Sequence, residues 1–151
     1  MLGPPPPAVP VAATADLPCL PTRHGCISLN PDVTAENLAS TICSSGYTRS
    51  IRPSSSYTQA IKRKLLHEAG LSESMQRDYE LDHIVPLALG GHPRKLSNLA
   101  LQRWDGEHGA TRKDLLEVRL QHLVCRGQLG LHAAQVCIAE DWEACAAKYS
   151  R

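Results

Sequence analysis

The patterning of the chain predicts an α+β domain: a two-stranded hairpin followed by a helix, wrapped by additional helices. Three observations carry this. Tyr79 to Leu89 alternates apolar and polar residues and carries the β-branched Ile84 and Val85, as a half-buried strand does. Gly90-Gly91-His92-Pro93 breaks that run, and Leu99 to Gln102 returns as a second strand antiparallel to the first. A helical period then runs from a cap at Thr111 to Val124, with Leu116, Leu120, Leu123 and Val124 inward.

The flanking segments supply the wrapping. Asn30-Pro31-Asp32-Val33-Thr34 reads as a turn feeding a short helix through Ile42. Ser56-Tyr57-Thr58-Gln59 reads as a capping box opening a stronger helix that Gly70 ends. Ile61, Leu65 and Ala69 share its inner face, which turns Lys62, Arg63 and part of Lys64 outward. Leu131 to Tyr149 is a last helix, with Ala134, Ile138, Trp142 and Cys145 on one side. Residues 1–30 are expected to be a Pro/Ala-rich lead-in, flexible or the remnant of an export signal, and 31–151 a single domain. Ala13-Thr14-Ala15 has the small-x-small form of a signal-peptidase site, although the preceding segment holds too many prolines for an apolar signal helix.

Composition narrows the function classes. With 151 residues and 42% hydrophobic content, the chain suits one compact domain. No run reaches the ~18 apolar residues that mark a bilayer span, so no membrane partner is expected. A formal charge of +1 does not announce a nucleic-acid binder, but the charges are unevenly placed. No acidic residue stands between Glu36 and Glu68, where Arg49, Arg52, Lys62, Arg63 and Lys64 do; between Asp82 and Asp105 the charges are Arg94, Lys95 and Arg103. Such runs suit phosphate contacts, or a plain solvated face. Aromatic residues make up 4%, which disfavours base stacking as the main grip. Six cysteines without a C-x-x-C knuckle read as disulfides, and so as an extracytoplasmic or secreted setting. Cys137 and Cys145 are not expected to pair, since eight residues of continuous helix at ~1.5 Å each separate them by ~12 Å.

The chemistry is concentrated in Asp82-His83-Ile84-Val85-Pro86-Leu87, Gly90-Gly91 and Asn98-Leu99. This combination resembles the HNH endonucleases (the ββα-metal fold), which show an Asp-His pair, a nearby Pro, a Gly-Gly bend and an Asn-Leu before a helix. The segments Cys43 to Pro53 and Leu123-Val124-Cys125 are similar to those of a bacterial and phage group of small, often exported HNH proteins. The resemblance implies a divalent-metal endonuclease (Mg²⁺, Mn²⁺ or Zn²⁺) acting on nucleic acid, DNA rather than RNA, with low sequence selectivity. It implies His83 as general base, Asn98 as the residue that orients it, and Asp82 as a metal ligand. It also implies a Cys43–Cys125 disulfide between the ends of two helices.

The residue types suit that chemistry. Phosphodiester hydrolysis needs an in-line water, a base, and positive charge against the phosphate, and an imidazole titrating near ~6.5 suits the base. On a regular strand Asp82 and His83 point to opposite faces, so both serve one site only at the edge of the ladder or where it is distorted. The sequence departs from the family at its third element. His108 is the natural second metal ligand, but Glu107, Asp114 and Glu117 compete with it before and within the helix. Arg49, Arg52, Lys62, Arg63, Arg94 and Lys113 are the candidate phosphate contacts, though Lys113 and Glu117 equally suit an exposed ion pair one turn apart. Two other functions fit the same residues: a non-catalytic nucleic-acid- or metal-binding module on a degenerate HNH scaffold, and a secreted, disulfide-stapled protein-binding domain.

Overall fold

A computed structural model describes residues 18–104 and 109–149. Its α+β architecture has two separate antiparallel hairpins among four α-helices. The first hairpin joins β1 (Cys19–Thr22) to β2 (Gly25–Ser28). Two helices follow, α1 (Tyr47–Ile51) and α2 (Ser55–Glu68). The second hairpin pairs β3 (Tyr79–His83) with β4 (Leu99–Arg103), and α3 (Ala110–Cys125) and α4 (Leu131–Tyr149) close the chain.

The expected lead-in enters the fold earlier than its composition suggests. Leu20 and Ile27 face each other across the first hairpin and are buried in the core with Ile42, Val85, Leu89, Leu120 and Ile138. From its end the chain runs beside the Gly90-Gly91 bend: Leu29 bridges Gly91, Asn30 N–H donates to Gly90 O at 2.9 Å, and His92 N–H donates to Ser28 O at 3.0 Å.

Helix starts differ from the sequence reading by local geometry. Ser54, not Ser56, caps α2, its hydroxyl accepting from Tyr57 N–H at 3.3 Å. Gly109 rather than Thr111 is the N-cap of α3, with no side-chain cap bond. The segment through Ile42 forms turns and a 3-10 turn at Leu38–Ser40, not an α-helix. On α3, Lys113, Leu116, Leu120 and Val124 are all buried, one stripe at helical spacing that contains a lysine.

The three disulfides join Cys19 to Cys26, Cys43 to Cys125 and Cys137 to Cys145. The Cys43–Cys125 bridge ties the segment before α1 to the end of α3. The Cys137–Cys145 bridge corrects the expectation of a continuous last helix. Asp141 leaves the helical region at φ −161° and ψ 90°, and the two Cα atoms come within 5.4 Å. Asp141 Oδ1 accepts from Ala144 N–H at 3.1 Å, capping the second half of the broken helix. The interruption leaves Glu140 O to accept from Arg23 Nη2 at 3.0 Å, which docks the tip of the first hairpin there. Three disulfides fit an oxidising, extracytoplasmic environment. Among the described residues no helix is long and apolar enough to cross a membrane.

Candidate active site

The expected strand over Tyr79–Leu89 stops at His83, and its ending makes the site. Val85 N–H and C=O do not meet a neighbouring strand. They bond the Asn98 side chain instead, Oδ1 accepting at 2.8 Å and Nδ2 donating at 2.9 Å. Pro86 has no N–H to continue a ladder, and Leu87–Leu89 closes into a 3-10 turn. Gly90 follows at φ +82°, and Gly91 lies so close that an added Cβ would fall 1.7 Å from Val85 O. Glycine at 91 is therefore required by contact.

Asn98 is fully buried and also donates to His92 O at 2.9 Å. Its side chain thus holds the 84–93 loop and makes no bond to the His83 imidazole. His83 is held by that loop, through a 2.9 Å bond between Nε2 and Pro93 O. Because a carbonyl only accepts, Nε2 carries the hydrogen of the neutral imidazole and Nδ1 carries the lone pair. Burial lowers the His83 pKa; Pro93 O and Asp82 oppose this, while Arg52 and Lys113 add to it. A neutral base at neutral pH follows.

His83 and Asp82 line one open cleft of about 770 Å³, together with Arg52, Lys62, Trp104, Glu80, Asp114 and Glu117. Placing both residues at the end of β3, where the ladder stops, resolves the opposite-face problem. Of the candidate phosphate contacts, Arg52 and Lys62 line this cleft. Arg49, Arg63, Arg94 and Lys113 do not line the cleft. Arg94 lies over the Tyr57 ring at 4.7 Å, and Tyr57 Oη donates to Arg94 O at 2.7 Å, an anchor between α2 and the loop. Trp104 is 44% exposed at the rim.

Lys113 corrects both roles proposed for it. It is buried, forms no exposed pair with Glu117, and directs Nζ to Asp82 Oδ2, to His83 O at 2.8 Å and to Ile84 O at 3.4 Å.

The acidic wall gathers Asp82, Asp114 and Glu117, all candidates from the sequence, and adds Glu80. Glu80 shares the Asp82 face of β3 by strand period, a signal present in the sequence. Its Oε2 is buried and, among the described residues, lacks a hydrogen-bond partner. Burial first, then Asp114 and Asp82, push the Glu80 pKa up to about 7. Burial likewise pushes Glu117 up to about 8; Lys113 opposes this, and Asp82, Asp114 and Glu80 reinforce it. Asp114 is raised by burial and by Asp82. With Glu117 largely protonated and Glu80 about half protonated near neutral pH, this wall is less repulsive to a phosphate than four ionised carboxylates.

The fit of a divalent ion follows from these contacts. One Asp82 oxygen is engaged by Lys113, and the expected second ligand, His108, lies outside the described residues. Among the described residues no group of three or more His, Cys, Asp or Glu is arranged to hold a metal ion. No protein-family model matches the chain, and no curated protein or solved structure is similar enough to count as a match.

Proposed function

We propose that the protein is an HNH-type endonuclease that hydrolyses phosphodiester bonds of nucleic acid, DNA in preference to RNA, with low sequence selectivity. The observation that carries this reading is His83: a half-buried imidazole whose Nε2 is committed to Pro93 O, in a cleft whose walls also present Arg52 and Lys62. Nδ1 takes the proton of the attacking water. Arg52 and Lys62 contact phosphate oxygens, which orients the backbone without reading its sequence. Asn98 acts through the loop: by closing 84–93 on itself it fixes the carbonyl that orients His83. The order β3, β4, α3 supports the assignment of a ββα core.

The test is a cleavage assay on supercoiled plasmid and on single-stranded RNA, with Mg²⁺, Mn²⁺ or Zn²⁺ and with a chelator. Nicked or linear plasmid is expected. Binding without cleavage in every condition favours the non-catalytic module, and neither binding nor cleavage removes the nucleic-acid reading.

A further inference from the structure

We propose that Lys113 is the built-in counter-cation of Asp82, a positioning residue that takes the place a divalent ion would hold on that carboxylate. The inference deepens the reading of His83 as the base, with Asp82 beside it in the cleft, and rests on it.

Three features set Lys113 apart from a surface lysine that has folded back. It is 3% exposed. Its ammonium has three hydrogens, and three oxygens surround it: Asp82 Oδ2, His83 O and Ile84 O. Its place is set by the helix itself, because Lys113 stands one turn before Leu116 and two before Leu120 on the buried stripe of α3. Swinging the ammonium out would leave the Asp82 carboxylate, 14% exposed, without its charge partner, and a buried charge without a partner is heavily penalised. Lys113 also grips the carbonyl of His83, the last residue of β3, and that of Ile84 just beyond it. It thereby fixes the backbone of His83 while Pro93 fixes the ring.

Metal affinity is a readout that a purely structural lysine would not move. Mn²⁺ binding is measured by calorimetry on the full chain and on D82N, K113M and the charge-balanced D82N/K113M. With Lys113 seated, D82N changes the Mn²⁺ affinity less than threefold, or neither protein binds. K113M frees a carboxylate that faces Glu80, Asp114 and Glu117, and gains tenfold or more in Mn²⁺ affinity; the double variant loses that gain. A threefold or larger loss in D82N overturns the proposal, as does a folded K113M with no gain. Should K113M not fold, the wild-type and D82N pair decides alone. These outcomes do not depend on cleavage, so an inactive protein would remove the nuclease reading and leave this result standing.

Discussion

The two hairpins have strands of similar length and are held in opposite ways. β1–β2 carries its own disulfide, buries Leu20 and Ile27, and rests its tip on α4 through the exposed Arg23. β3–β4 contains no cysteine and is held at its business end by buried polar groups: the Asn98 amide and the Lys113 ammonium, with Gly91 packed against Val85. A covalent clip and apolar contacts tolerate exchange of neighbouring residues. A buried polar network does not, because each lost partner leaves another group unsatisfied. A site that must hold one imidazole in one orientation is built in the second way.

The sharpest break in that comparison is Asn98→Ala. It strands Val85 N–H, Val85 O and His92 O, so a loss of about 3 to 6 kcal/mol is expected in denaturant or thermal unfolding. A loss below about 1 kcal/mol would mean water replaces the amide and the network is not rigid.

A smaller effect is set by pH on the cleft side of the second hairpin. Glu117 titrates at about 8 in the folded protein against the ordinary 4.5. Between those values the unfolded chain has released a proton that the folded chain retains, so stability falls as pH rises from about 4.5 to 8 and levels off above. Glu80, at about 7, adds in the same direction. Glu117→Gln removes the larger part of the slope, on the order of 2 to 4 kcal/mol between pH 5 and pH 8.5. Melting curves at both pH values check this, and an unchanged slope in the variant would show that Glu117 is solvated.

The first hairpin should respond least. Replacing Cys19 and Cys26 by Ala opens a short loop, for which chain entropy sets a limit of about 2.5 kcal/mol. Because the apolar contacts of Leu20 and Ile27 remain, the melting temperature should drop modestly and the cleft should be undisturbed. Loss of nucleic-acid cleavage in this variant would show that the two hairpins are coupled through the Leu29–Gly91 bridge.

Much of this frame was legible in the sequence, for physical reasons that also mark where it stopped being so. Period-2 and period-3.6 patterns placed β4, α3 and α4 closely, since each buries one face over several residues. Asp82, His83, Asn98 and the glycine bend stood out through their resemblance to the HNH motif. The strand end at His83 was hidden, because Asn98 intercepts the Val85 backbone from thirteen residues away. The Cys137–Cys145 bridge was hidden because a helical pattern does not reveal a break at Asp141. Lys113 was misplaced because a lysine on a helix is usually solvated; only the tertiary position of Asp82 makes it a buried partner. Glu80 was within reach of the strand period and was passed over.

The central claim, that His83 is the base of a nuclease, is tested most directly by the cleavage rate of His83→Ala, once its circular dichroism and melting match the wild type. Removing the base leaves Arg52 and Lys62 in place, so nucleic-acid affinity should hold while plasmid cleavage falls by the ~10² to 10⁴ typical of general-base loss. A folded His83→Ala protein that cleaves plasmid at the wild-type rate would contradict the account.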